Sequence, residues 1–257
     1  MKKILVGLLA LVCMCVFTFT FVACDKGNGQ NVDPSPTEQQ IWLPYTEINY
    51  FDNCKHTYYY DEYGNEIKKT KEDWTGNIQA AWLYEYDDNQ NLIKRSVDTG
   101  DGTPFVQLIQ TYDDKGNLIE KREIGLSSES VYTYQYDEKN RLISRINGEQ
   151  IIETYTYEAD GSYKVQNAKD ADAYRIYRAD GKILVLHSGS NMKVEYSYND
   201  DDVLVGCAIY SGENITEKQI YHFDDNGNPI KLSKVYASGE ETVMAEFEYK
   251  QYTVKVK

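Results

Sequence analysis

The sequence predicts an all-β fold, an antiparallel β-hairpin meander of about sixteen strands forming a curved or rolled sheet. Three observations carry this prediction: a short segment that recurs along the chain, a turn residue at a fixed offset within it, and aromatic residues at alternate positions. YDDKGNLIEK, at 112–121 of the 257 residues, has the pattern of a strand, a tight turn and a second strand. A four-bladed propeller with two units per blade is the alternative geometry, because a blade carries four strands.

The repeat is legible in eight copies, each marked by one anchoring aromatic residue. Successive anchors lie 20 to 26 residues apart, a period typical of repeat architectures in which each unit needs neighbours to bury its faces. Tyr249, preceded by Phe247, begins a ninth strand. The eight anchors are Tyr60, Tyr86, Tyr112, Tyr136, Tyr157, Tyr177, Tyr198 and Phe223.

A turn residue lies four positions after each anchor. Seven of these eight residues are Gly, Asn or Asp, which tolerate positive φ, and Gln90 is the exception. This column predicts three-residue loops that combine a type I turn with a bulge. The Asp that follows the anchor, such as Asp113, suits the first turn position because its carboxylate can accept hydrogen bonds from nearby backbone amides.

The alternation of residues predicts how the two strands of a unit pair. Tyr also occupies most positions two residues before the anchor, which places both aromatics on one face. Around the turn at 113–117, Tyr112 should pair with Leu118 and Thr111 with Ile119. Both faces are then half apolar, so we expect the sheet to curl or to pack against a second layer. A second set of turn signals, from TGN at 75–77 to SGE at 238–240, separates the units.

The first forty residues predict export rather than folded structure. Residues 1–23 combine Lys2 and Lys3 with an apolar run, the pattern of a secretory signal, with a transmembrane anchor as the alternative. FVAC at 21–24 resembles the bacterial lipobox, which implies a lipid on Cys24. Residues 24–40, rich in Gly, Pro and polar residues, predict a flexible tether, and residues 41–257 the repeat domain.

Charge and cysteine content narrow the classes of partner. The chain carries a net charge of −14, and removing Lys2 and Lys3 from its 27 basic and 41 acidic residues leaves −16. Such a chain repels phosphate backbones, so nucleic acid is not an expected partner. Cys54 and Cys207 remain after the signal and Cys24 are set aside. Whether these two form a disulfide stays open at this stage.

The fullest unit, Tyr-x-Tyr-Asp-x-x-Gly-Asn-Leu-Ile, is similar to the YD repeat of the Rhs family of bacterial surface and toxin-associated proteins. The resemblance covers residues 56–257 and is closest to short YD-repeat lipoproteins. It implies a spiralling β-sheet and a bacterial protein exposed at the cell surface, anchored through its lipid to the cell membrane or outer membrane. In the family, long repeat arrays wrap into shells around a toxin, whereas this chain has few repeats.

No pattern typical of an enzyme was found in the sequence. The three histidines have no second His or Cys at zinc-ligand spacing, and no cofactor is predicted. Turn carboxylates such as Asp224 and Asp225 leave calcium open as a ligand, with hairpin turns as the simpler explanation.

The 24 tyrosines suggest binding. Aromatic rows on a rigid sheet form a platform for a sugar or a protein. We therefore predict a non-catalytic binding or structural module, with a glycan-active hydrolase that uses turn carboxylates as the alternative. The candidate binding aromatics are Tyr84, Tyr86, Tyr134, Tyr136, Tyr155 and Tyr157.

Overall fold

A computed structural model describes residues 37–189 and 191–256, and every regular element in these ranges is a β-strand. The predicted signal segment and Cys24 lie outside the described residues. Residues 37–40, predicted as tether, are the first residues of β1. The strands are β1 (Thr37–Asn49), β2 (Cys54–Tyr60), β3 (Glu66–Glu72), β4 (Ile78–Tyr86), β5 (Leu92–Asp98), β6 (Phe105–Tyr112), β7 (Leu118–Ile124), β8 (Glu129–Tyr136), β9 (Leu142–Asn147), β10 (Gln150–Tyr157), β11 (Tyr163–Asn167), β12 (Ala173–Tyr177), β13 (Ile183–Ser188), β14 (Met192–Tyr198), β15 (Leu204–Ser211), β16 (Asn214–Phe223), β17 (Pro229–Tyr236) and β18 (Glu241–Val256).

The strands form one antiparallel sheet in which each strand pairs with the next along the chain. β18 then pairs with β1, so the sheet closes into a barrel. The all-β antiparallel prediction is confirmed. The count of about sixteen strands is wrong, because β1 and β18 add a ninth pair to the eight predicted hairpins. The curved or rolled sheet and the four-bladed propeller are also wrong, because a single sheet closes into a barrel.

The closing pair of strands reproduces the register of a repeat unit. In the unit around Tyr112, the anchor pairs with Leu118, and Ile119 is skipped before Thr111 pairs with Glu120. In the closing pair, Tyr249 takes the place of the anchor and pairs with Pro44. Tyr45 is skipped before Thr46 pairs with Glu248. The ninth unit is therefore complete, with its first strand from β18 and its second from β1.

The closing strands also extend beyond their neighbours. Their ladder runs from Asn49 and Ala245 to Thr37 and Val256, whereas the β1–β2 ladder covers only Thr46 to Asn49 on β1. This two-stranded extension packs on the first turn of the repeat, where the Lys255 amide donates to the Glu62 carbonyl at 2.7 Å. The last strand is thus fixed at a repeat turn as well as along the seam.

The predicted turns are confirmed in all eight hairpins. The residue four positions after each anchor has positive φ, including Gln90 at 69°. In the loop at 113–117, the Asp113 amide donates to the Asn117 carbonyl and the Gly116 amide donates to the Asp113 carbonyl. The Asp113 carboxylate accepts from the Lys115 and Asn117 amides at 2.9 and 2.8 Å. Residue type at two positions therefore fixes the loop.

Residues other than glycine occupy the positive-φ position where their side chains reach the preceding turn. Asn65 donates to the Gln90 side chain. Asn140 and Asn117 exchange amide hydrogen bonds of 2.7 and 2.9 Å. Asp202 accepts from Arg178 at 2.6 Å. A left-handed backbone is costly for these residues, and the contacts between neighbouring turns offset that cost.

A β-bulge next to the anchor corrects part of the predicted pairing. Tyr112 pairs with Leu118 as predicted, but Thr111 pairs with Glu120 and not with Ile119. The extra residue is left without a direct partner, and Ile119 is 39% exposed. The same shift occurs in every unit except the β10–β11 hairpin. The predicted apolar column opposite the tyrosines therefore turns partly to solvent.

The anchoring tyrosines face the inside of the closed sheet and join neighbouring hairpins. The Tyr112 hydroxyl donates to the Leu92 carbonyl at 3.0 Å, and Leu92 is the first residue of the second strand in the preceding unit. The same bond joins the first hairpin to the closing unit, where Tyr60 of β2 donates to the Pro44 carbonyl of β1 at 2.8 Å. Equivalent bonds join Tyr86 to Glu66, Tyr136 to Leu118, Tyr157 to Leu142 and Tyr198 to Ile183.

Burial is uneven around the sheet. Over half of the buried apolar side chains of the described residues lie on β14, β15 and β18, among them Val194, Leu204 and Ala245. Inward side chains of β4, β8 and β10 keep intermediate exposure. Cys54 and Cys207 are both buried and form no disulfide with each other.

We predict that Tyr60→Phe lowers the free energy of unfolding by about 1–2 kcal/mol, because the Pro44 carbonyl at the seam loses its donor. Urea denaturation measures the change. Tyr59→Phe is the matched control, since Tyr59 lies on the same strand and is 44% exposed. Equal stability of the two variants would contradict a structural role for the seam hydrogen bond.

Candidate functional site

The six predicted binding tyrosines lie together on the inner wall of the closed sheet. Each is half-buried, and the residues between them on β8 and β10 are exposed on the outside. Three of them, the anchors Tyr86, Tyr136 and Tyr157, donate their hydroxyls to backbone carbonyls of the preceding hairpin. Only the ring faces of these anchors remain available to a ligand.

One column of side chains on this wall is basic in four successive units. Lys69, Arg95, Lys121 and Arg145 occupy one position in four successive units, each directly across from the residue two before the anchor. In later units Val165, Leu186, Cys207 and Leu232 take this position. Glu47 takes it in the ninth unit, across from Phe247. One half of the inner wall is thus basic and the other apolar.

Glu47 is the centre of a buried polar cluster beside the seam. Its side chain is 1% exposed and accepts a hydrogen bond from the Tyr58 hydroxyl at 2.5 Å. His56 Nδ1 lies 3.4 Å and Lys69 Nζ 3.8 Å from the same oxygen. Cys54 Sγ lies 3.8 Å from the other nitrogen of His56. This Cys, His and Glu order is that of a nucleophilic site, but Cys54 is fully buried.

Two effects oppose each other in the ionisation of this cluster. Burial alone would raise the pKa of Glu47, but the contacts with His56, Lys69 and Tyr58 outweigh it and lower the pKa to about 2. Burial also raises the pKa of the Cys54 thiol, which keeps it protonated and poorly nucleophilic. The cluster therefore holds β1 to β2 and β3, and its chemistry favours a structural role.

A cleft of about 440 Å³ lies where β17 and β18 separate. The β17–β18 ladder ends at Lys231 and Glu246, because β18 continues along β1 instead. The walls combine apolar and charged groups, and Thr46 donates to Glu248 at 2.9 Å within them. The lining residues are Thr46, Ile48, His222, Ile230, Lys231, Glu246, Phe247 and Glu248.

Two exposed aromatic rings continue the cleft along the outer surface. Tyr50, after β1, and Trp74, in the β3–β4 turn, place their ring centroids 6.3 Å apart. They are 43% and 54% exposed, and the adjacent Phe51 is 51% exposed. The Tyr50 hydroxyl donates to Glu246 at 2.7 Å, and Glu246 lines the cleft. We call the cleft and these rings the seam groove.

The seam groove contains a histidine near a serine and a glutamate, but not in the geometry of a catalytic triad. His222 Nε2 lies 3.2 Å from Ser233 Oγ and 3.5 Å from Glu241. Both contacts use the same ring nitrogen, whereas a triad needs the base and its orienting carboxylate on opposite nitrogens. Ser233 is also fully buried. These residues therefore lack a means of attacking a substrate.

The first carboxylate of several turns that the sequence offered to calcium or to hydrolysis, among them Asp113, Asp137 and Asp224, is bound within its own turn. The Asn117 side chain donates to Asp113, and hydrogen bonds from Asn117 lower the pKa of that carboxyl. Contacts with Arg141 do the same for Asp137. A carboxyl with a lowered pKa is a poor proton donor. Within residues 37–189 and 191–256, no three His, Cys, Asp or Glu side chains group as metal ligands do.

Sequence patterns did not reveal the seam groove. Its residues come from β1, β16, β17, β18 and the β3–β4 turn, and closure of the sheet brings them together. One signal was available, since Tyr50, Phe51 and Trp74 lie outside the repeat columns and next to turn residues. Aromatic residues in polar turns are candidates for contact with a ligand.

Comparisons with known proteins identify similar structures at low identity. Neither a protein-family model nor a curated protein matches the chain. It is similar to the crystal structure of TcdB2-TccC3, with 12% identity over 72% of this chain and a TM-score of 0.35. A Photorhabdus luminescens Tc holotoxin pore matches with 12% identity over 72% of this chain and a TM-score of 0.30. The chain spans only 11–12% of those chains. Across the described part of the chain, no helix is long and apolar enough to cross a membrane.

We predict that Glu47→Gln lowers the free energy of unfolding by about 3 kcal/mol at neutral pH, because the buried cluster loses the negative charge that balances Lys69. The folded-state pKa of Glu47 is lowered from 4.5 to about 2. Its contribution is therefore present above pH 4.5 and is lost as the pH falls toward 2.

Urea denaturation of the wild type and the variant between pH 7 and pH 3 measures this effect. The difference in stability should narrow as the pH falls. Glu85→Gln is the control, because Glu85 pairs with Lys94 on the outer surface with its side chain 56% exposed. A difference between wild type and Glu47→Gln that stays constant over this range would contradict the assignment.

Proposed function

We propose that this protein is an exported, lipid-anchored binding module without catalytic activity, and that the seam groove binds a carbohydrate. The observation that carries the proposal is the Tyr50 side chain. Its ring lies beside the exposed Trp74 ring, and its hydroxyl is bonded to a carboxylate that lines the cleft. One continuous surface therefore combines aromatic faces with hydrogen-bonding groups.

The chemistry of this surface fits a sugar better than an apolar ligand. The C–H face of a sugar ring packs on an aromatic ring, while its hydroxyls need acceptors such as Glu246 and Glu248. The two carboxylates in the cleft lining disfavour an acidic sugar at this site. We therefore expect neutral oligosaccharides. Export and attachment through Cys24 would place the groove where such glycans are met.

Hydrolysis by turn carboxylates is the weaker alternative. Those groups are bonded within their turns, and Asp113 and Asp137 have lowered pKa values. Glu246 and Glu248 both line the cleft. Incubation of any bound oligosaccharide with the protein therefore forms part of the test, and release of shorter sugars would replace the binding proposal with a hydrolase.

We predict that Trp74→Ala weakens binding of a neutral oligosaccharide by at least about tenfold, the loss typical of an aromatic contact at the centre of a site. Isothermal titration calorimetry with cello-, xylo-, malto- and chito-oligosaccharides measures it. Trp42→Ala is the matched control, because Trp42 is 43% exposed on the β1–β18 extension. The proposal fails if none of these sugars binds, or if both variants bind like the wild type.

A further inference from the structure

A second surface with the character of a binding site lies on the inner wall between β3 and β10. Its side chains are held in register by the repeat, so that basic groups follow one another on alternate strands, about 9–10 Å apart. Lys121 and Arg145 keep 27% and 31% of their side chains exposed. Inward side chains can be this exposed only where the closed sheet encloses space for water.

The positive charge of this wall is only partly balanced. Lys69 pairs with Glu47, and Lys121 pairs with Glu123 at 2.6 Å. Glu66, which is hydrogen-bonded with Tyr84 and near Lys69, adds a further carboxylate to this wall. Arg145 and Arg175 share one carboxylate, that of Glu153. Among the described residues, no carboxylate lies within ion-pair distance of Arg95, and its Nε–H is buried without an acceptor. The Nε–H of Arg145 also lacks an acceptor.

Aromatic rings alternate with these cations. Tyr84 pairs directly with Arg95 and Tyr134 with Arg145 across neighbouring strands. The Arg145 guanidinium lies 4.8 Å from the centroid of the Tyr132 ring. Arginine forks bind carboxylates through two parallel hydrogen bonds, and aromatic faces pack on sugar rings. This combination suits a ligand that has both groups.

We infer that the inner wall binds a carbohydrate that carries carboxylates, such as an oligosaccharide of uronic acids, with Arg95 as the principal carboxylate contact. The site is separate from the seam groove and has the opposite charge. The side chains of the apolar half of the wall, on β13 to β18, pack into the core. The ligand would therefore contact the strands from β3 to β10. The predicted tyrosines Tyr84, Tyr134 and Tyr155 would supply the ring contacts.

The chain offers a reporter for this site. It has three tryptophans, and Trp82 lies on the inner wall, opposite Lys69 and 6.3 Å from the buried His56 ring. Trp42→Phe with Trp74→Phe leaves Trp82 as the only tryptophan and replaces the Trp74 indole in the seam groove with a phenyl ring. Fluorescence of this double variant of the full-length protein therefore reports inner-wall binding, whether or not the seam groove binds a sugar.

The test titrates this double variant with oligogalacturonate and, for comparison, with a maltooligosaccharide of the same length. We expect a saturable change in Trp82 fluorescence with oligogalacturonate only, weakened about tenfold by Arg95→Gln. Lys68→Gln is the control, because Lys68 stacks on the exposed Tyr59 on the outer face of β3. The absence of a saturable change, an equal response to the neutral sugar, or equal loss in both variants would overturn the inference.

Discussion

The hydrogen bond that six anchoring tyrosines make to a backbone carbonyl of the preceding unit is the constraint on which the closed sheet depends. It turns the anchor face of those strands inward, because the hydroxyl must reach across the inner surface to the preceding unit. Tyr60 of β2 makes this bond to Pro44 of β1, so the unit formed by β18 and β1 is joined to the first hairpin by the same contact as other neighbouring units. Closure therefore continues the repeat and needs no separate device.

Repetition explains why much of the fold could be predicted from the sequence. The anchor, the Asp after it and the positive-φ residue are local signals, and each specifies its own hairpin without reference to the rest of the chain. The β-bulge at Ile119 could not be predicted in the same way, because it depends on how the second strand pairs with the first. The ninth unit was missed for a stronger reason. Its strands lie about 200 residues apart, and β1 carries Pro44 where five of the other eight units carry Leu or Ile.

The two candidate sites also differ in whether they could be predicted from the repeat. The six predicted tyrosines were found because they follow the repeat, and the structure places them on one wall. That they face inward was not predictable, since either face of an isolated hairpin could bind a ligand. The seam groove depends on contacts between β1, β17 and β18 that exist only after closure. The residue pattern within one unit therefore cannot predict the seam groove.

Departures from the repeat make the inner surface of the barrel differ from one unit to another. A column that must only fill space would carry similar side chains in every unit, yet the position across from the aromatics changes from Lys and Arg to Val, Leu and Cys. Burial changes with it, since most buried apolar side chains lie on β14, β15 and β18, while Lys121 and Arg145 on the basic side stay partly exposed. Binding an acidic ligand is the use that we propose for these partly exposed charges.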